Sequence, residues 1–194
     1  MSIFIGGLMP WIQNVSMKDI RTGRHIEAGE NSMLIQIVDP AFEFPTPRKQ
    51  FKEVHQFEFL DIEEDGMTNV GDGKMIDMSE FAITDTQAAE LVRLLQHALE
   101  NRMDVVVHCH AGVCRSGAVA EVGVMLGFDD AEAFRSPNLL VKHKMMRVLG
   151  WTYDENEPHT FNGAVIPEDW TNDNEKVFIL AGGRRAHRER EGDV

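Results

Sequence analysis

Val105-Val-Val-His-Cys-His-Ala-Gly-Val-Cys-Arg-Ser-Gly117 decides how the rest of the chain is read. An apolar, strand-like run enters it, and a helix-like run, Ala118-Val-Ala-Glu-Val-Gly-Val-Met-Leu126, leaves it. Five residues separate Cys109 from Arg115. A loop of that length between strand and helix can wrap a phosphate-sized dianion. The N–H groups of His110, Ala111, Gly112, Val113, Cys114 and Arg115 can all turn inward, and the helix behind them adds its positive N-terminal end. Arg115 offers a planar fork to two phosphate oxygens. The same field favours a thiolate on Cys109. The chemistry indicated is nucleophilic attack on phosphorus.

Plainer readings compete at each position. A free cysteine is commonly a small packing residue, but a strand-end cysteine facing loop amides is not set in an apolar pocket. Zinc is a second rival, since His108, Cys109, His110 and Cys114 lie close in sequence. No matching second pair of ligands stands elsewhere, and an intervening arginine makes a poor tetrahedral cage. Arg115 at a helix start opposes the helix dipole unless an anion sits beside it. Ser116 also fits as a helix-start hydroxyl. His108 reads as a support for the loop rather than a base, and His110 as a rim residue.

His108, Cys109, Gly112, Arg115 and Ser116, with the Ala111-Gly112 pair, spell a loop that resembles the cysteine-dependent phosphatases. The likeness is to the dual-specificity branch of the tyrosine phosphatase superfamily, of bacterial or phage type, and it covers roughly residues 34–149. It implies a protein phosphatase acting on phosphotyrosine, and on phosphoserine or phosphothreonine as well, through a phosphocysteine intermediate with no cofactor or metal. It further implies that Ser116 donates to the Cys109 sulfur and helps the thiolate leave. The partners implied are a phosphoprotein and a phosphate or other oxyanion in the loop. The family also needs a carboxylic acid on a loop after the preceding strand. Asp61, Glu63, Glu64, Asp65, Asp72 and Asp77 all precede the next helix. Asp61 is preferred, because Phe59-Leu-Asp-Ile62 resembles the Phe-x-Asp-Ile element of bacterial and phage members. Asp77 lies 32 residues before Cys109, the spacing of small vertebrate members, and it stands behind Asp61 together with Asp65. Downstream, Pro137-Asn138 resembles the start of the family's next helix, with Asn138 as an N-cap whose side chain can face the site. Cys114 instead resembles the loop of the low-molecular-weight tyrosine phosphatases. It is either a resolving partner for an oxidised Cys109 or filler under the loop. A catalytically weak phosphoprotein-binding relative, a phosphatase acting on RNA 5′ ends and a sulfur-transferring rhodanese remain as rivals.

Composition agrees with this. The 194 residues carry a net charge of −13, which argues against nucleic acid or an anionic membrane as the main partner. Both cysteines lie inside the loop, so no disulfide framework exists and a reducing cytoplasm is the expected setting. The first residues, MSIFIGGLMPW, lack the basic n-region of a signal peptide, and no run approaches the length of a membrane helix.

The predicted fold is α/β, with a central, mostly parallel sheet flanked by helices and the loop between a strand and a helix. Strands are predicted at 32–38, 54–60 and 104–108, and helices at 84–99 and 115–126. The Asp-, Gly- and Asn-rich stretch 63–83 reads as loop. Residues 1–180 are expected to form one phosphatase-like domain. Residues 181–194, with Arg184, Arg185, His187, Arg188 and Arg190, read as a charged, flexible tail, a partner-contacting arm being the alternative. Trp151, Phe161 and Trp170 are expected to be packing residues, and 150–180 match no family element.

Overall fold

The computed structural model describes residues 9–62, 66–69 and 74–151, and the backbone of four short strands beyond them. The chain divides into two compact units, Met1–Thr152 and Tyr153–Val194. In the first, β1 (Trp11–Ser16) leads into the short helix α1 (Met17–Thr22). There follow β2 (Ser32–Val38), β3 (Glu53–Glu58), β4 (Met67–Asn69), β5 (Met75–Asp77) and α2 (Asp85–Glu100). After these come β6 (Asp104–Cys109), α3 (Arg115–Leu126), β7 (Asp129–Asp130) and α4 (Leu139–Val148). In the second unit β8 (Thr160–Phe161) pairs with β9 (Ala164–Val165), and β10 (Phe178–Leu180) with β11 (Arg184–Ala186), both antiparallel. Of the expected tail, only the backbone of β11 is described, and the side chains of Phe161 and Trp170 lie outside the described residues.

Five strands form one sheet in the order β3-β2-β6-β1-β7, and every neighbouring pair is parallel. A parallel sheet is covered on both faces, which is why β2 reads as an unbroken apolar run and is buried along its whole length. Side chains alternate between faces. Met33, Ile35, Ile37, Val105, Val107 and Cys109 meet the apolar sides of α2, α3 and α4. Val15, Leu34 and Val106 meet Ile20 of α1 and Ile26. Helix α3 is buried from Arg115 through Gly123, so this short helix is core on almost every side. Trp151 packs on the larger cluster, as expected of it.

The sheet extends beyond the sequence reading, which began at residue 32. Strand β1 lies beside β6, with Ser16 opposite Cys109. Its Gln13, Asn14 and Ser16 interrupt the apolar pattern that announces a buried strand. The stretch 63–83 holds more order than a loop: β4 and β5 form a hairpin, and a single 3-10 turn spans Ser79–Phe81. Strands β2, β3 and β6 and helices α2 and α3 fall within two residues of expectation, whereas α1 and β7 were not anticipated.

One close approach welds β1 to the loop. Gly112 has φ +79°, and a Cβ there would lie 2.4 Å from the Val15 carbonyl carbon and 2.5 Å from the Ser16 nitrogen. Gly127 also has positive φ, at +121°, yet a Cβ would meet nothing within 4 Å. Each alanine variant pays about 1–2 kcal/mol for its backbone conformation. Only Gly112→Ala must also push strand backbone aside. Thermal unfolding should therefore show a clearly larger fall in Tm for Gly112→Ala than for Gly127→Ala, at about 2–4 °C per kcal/mol for a chain of this length. Equal falls would contradict the close approach.

Candidate active site

The loop lies at the carboxyl end of β6, where a parallel sheet places its ligand sites. Its carbonyls are taken from outside. Met17 N–H donates to the His110 carbonyl at 3.2 Å, Ser136 N–H to Val113 at 3.3 Å and Asn138 N–H to Cys114 at 3.2 Å. Asn14 Nδ2 donates to the Gly112 carbonyl at 2.7 Å and to the Phe134 carbonyl at 2.9 Å. In a trans peptide the next N–H points opposite to the carbonyl. Four outward carbonyls thus turn the N–H groups of Ala111, Val113, Cys114 and Arg115 to the inner side. No described backbone acceptor takes the N–H groups of residues 110–113.

Cys109 is 2% exposed and belongs to the apolar cluster under the helices, a more enclosed setting than the sequence indicates. Its polar neighbour is Ser116, whose Oγ lies 3.2 Å from Sγ. Neither cysteine is in a disulfide, and Cys114 is half-buried. His110 is exposed, in keeping with a rim position. His108 is fully buried on the α1 side of the sheet, with Nδ1 3.3 Å from the Cys109 carbonyl. Among the described residues, no grouping of three or more His, Cys, Asp or Glu could hold a metal ion.

Arg115 is 4% exposed. Its Nη1 donates to Asp39 Oδ1 at 2.5 Å and to the Phe59 carbonyl at 2.6 Å, while Nε is buried without a partner among the described residues. One side of the fork is therefore anchored to the ends of β2 and β3. A buried donor left unpaired costs about 1–3 kcal/mol, and an anion in the loop would satisfy it. Sequence reading missed Asp39, which it took only as the end of a strand. Its place after an apolar parallel strand, on the edge where sites form, was the available signal.

Asp61 follows the anchored Phe59 and is exposed. Asn138 Nδ2 donates to Asp61 Oδ1 at 2.8 Å and to the Ile62 carbonyl at 2.9 Å, and Asn138 Oδ1 accepts from Val141 N–H at 2.9 Å. This side chain, 1% exposed, caps α4 and holds the Asp61 turn, while its own N–H holds the loop. Asp77 has no such link. It sits exposed on β5, and hydrogen bonds from Ser79 hold its carboxyl below the usual range. Asp65, Glu63, Glu64 and Asp72 lie outside the described residues. Asn14 had no role in the sequence reading, since a lone asparagine carries no motif.

Burial pushes the His108 imidazole down from 6.5 to about 4; the Cys109 carbonyl opposes this and the Arg115 charge adds to it. Above pH 6.5 both folded and unfolded chains hold it neutral, with no penalty. As pH falls towards 4 the unfolded chain takes the proton first, so stability drops by on the order of 3 kcal/mol. Urea unfolding at pH 7 and pH 5 should show about 2 kcal/mol of that loss in wild type, and His108→Gln should lose markedly less between the two.

Residues 52–126 match the family model described as Tc-R-P: Polymorphic toxin system, DSP-PTPase phosphatase. No curated protein matches the chain. Among solved structures, the chain is similar to OH1 from the Orf virus, described as a tyrosine phosphatase with distinct structural features and triple substrate specificity. That similarity has a TM-score of 0.37 at 19% identity, covering 61% of this chain and 62% of the viral one. The chain thus spans less than two thirds of the viral chain's length. The matched stretch runs from β3 through the Asp61 turn, the loop and α3, and over these residues the chain is similar to dual-specificity and tyrosine phosphatases.

Proposed function

We propose that the protein is a protein phosphatase that hydrolyses phosphotyrosine, and phosphoserine or phosphothreonine more slowly, through a phosphocysteine intermediate. The observation that carries this reading is the unpartnered, buried Nε of Arg115 beside a loop whose N–H groups turn inward over Cys109. The arrangement suits a dianion.

The Cys109 thiolate attacks phosphorus in line, forming the S–P bond as the P–O bond to the leaving group breaks. Arg115 and the loop N–H groups hold the equatorial oxygens and gain strength as their charge grows. Asp61 gives its proton to the departing phenolate or alkoxide. Asp61 then takes a proton from water, whose oxygen attacks phosphorus and expels the Cys109 thiolate. Ser116 Oγ, 3.2 Å from Sγ, donates to that sulfur as it leaves. Asn138 holds one oxygen of Asp61, so the other is presented to the substrate.

Hydrolysis of para-nitrophenyl phosphate, undiminished by EDTA, is the first expected result. Cys109→Ser should abolish turnover yet still bind vanadate, whereas Arg115→Ala should lose both; near-wild-type turnover by Cys109→Ser would sink the mechanism.

The acid is tested by leaving group. Asp61→Asn should lower kcat by on the order of 10²–10⁴ for phosphotyrosine and alkyl phosphates, and far less for aryl phosphates with good leaving groups. Asn138→Ser retains an N-cap of similar quality but cannot reach Asp61. It should lose a few degrees of Tm, because the Ile62 carbonyl also loses its donor, and show a weaker form of the same leaving-group pattern. Asp77→Asn should show neither. The pattern in Asp77→Asn with none in Asp61→Asn would reassign the acid.

A further inference from the structure

Many basic side chains of the described structure are paired with carboxylates: Arg93 with Glu90, Arg115 with Asp39, Arg135 with Asp130, Lys142 with Glu121 and Lys144 with Asp85. Five that are not lie along α1, whose start meets the loop, and on the segment packed across its far end. Lys18 and Arg21 stand on α1, Arg24 follows it, and Arg48 and Lys49 lie on the segment packed across its end. Arg48 N–H donates to the Ile20 carbonyl at 2.9 Å, and a Cβ on Gly23 would lie 3.1 Å from Arg48 Cγ and 3.6 Å from Lys49 Cγ. All but the half-buried Lys49 are exposed. Asp19, the acid in their midst, is engaged by Ser16 in the capping box that starts α1.

This face begins at the rim of the loop. Met17, the first residue of α1, is bonded to the His110 carbonyl, and the Arg21 charge reaches the buried His108 next to Cys109. Like charges gathered on one face repel one another unless anions lie among them. The chain has 32 acidic residues against 19 basic ones, so a patch of this sign stands out against its net charge.

We propose that this face receives an acidic segment flanking the phosphorylated residue of the substrate. The proposal rests on the phosphatase reading and names its substrate class. Six residues of helix extend about 9 Å, and an extended peptide advances about 3.3 Å per residue. Carboxylates two to four residues from the phosphorylated side chain therefore fall along Lys18, Arg21 and Arg24. In sequence Glu27, Glu30 and Glu43 lie between the two groups of cations. Those acids and the net charge of −13 suit a short acidic stretch better than a continuous polyanion.

The test compares phosphotyrosine peptides that carry glutamates, or glutamines, two to four residues to either side. Wild type should turn over an acidic peptide with roughly tenfold higher kcat/KM, and the gap should close as sodium chloride rises from about 50 to about 500 mM. In the Arg21→Gln/Arg24→Gln/Arg48→Gln variant the gap should vanish while para-nitrophenyl phosphate kinetics stay unchanged. Equal kcat/KM for both peptides in wild type, or a gap that survives in the variant, would overturn the proposal. A salt-sensitive preference for a 5′-phosphorylated RNA oligonucleotide, with none for acidic peptides, would overturn it in favour of nucleic acid. Fluorescence anisotropy of the same peptides separates the two readings. Charge-dependent binding without turnover of any substrate keeps the acidic-segment surface and refutes the phosphatase, whereas turnover without charge-dependent binding does the reverse.

Discussion

Enclosing a guanidinium costs several kcal/mol unless its donors are met, and the position of Arg115 follows from how that cost is offset. It begins a helix buried on almost every side, so it cannot turn to water. The carboxylate at the end of β2 and the carbonyl at the end of β3 take one nitrogen, and with it they fix the plane of the group. Two strand ends and a helix start are thereby joined at a single side chain. The buried Nε of the same group has no partner among the described residues. The turn that carries Asp61 leaves from the same carbonyl.

Two asparagines complete the frame from opposite sides. Asn14, 3% exposed on β1, ties the Gly112 carbonyl to the 134 segment, and Asn138, 1% exposed, ties the loop to the Asp61 turn. Each hydrogen bond contributes only about 1 kcal/mol net. Their effect lies in direction, since every carbonyl drawn outward turns the following N–H inward. Gly112 permits this by letting the loop lie against the backbone of Val15 and Ser16. Preorganised dipoles of this kind need not reorient as charge develops on phosphorus.

Much of this was legible from residue order. The run from Val105 to Gly117 fixed the strand, loop and helix because each residue type there is demanded by local physics. β2 was legible for the same reason, as a strand covered on both faces must be apolar throughout. β1 was not, because its buried Asn14 serves the loop and breaks the pattern by which buried strands are recognised. Asp39 escaped notice for a related reason, since its partner lies 76 residues away. The preference for Asp61 over Asp77 came from a short resemblance rather than from physics. The structure adds a physical ground, the bond from Asn138. The basic face beside the loop was equally invisible, because its two halves, 18–24 and 48–49, meet only in the folded chain.

The covalent intermediate is the central claim, and trapping it is the most direct test. Asp61→Asn slows the hydrolytic step as well as the first, so a short incubation with an activated aryl phosphate, quenched in acid, should leave phosphate on the protein. Mass spectrometry of the digest should place that phosphate on Cys109 alone, and it should be absent from Cys109→Ser. Phosphate found on another residue, or turnover with no adduct under conditions where the second step is rate-limiting, would contradict the account.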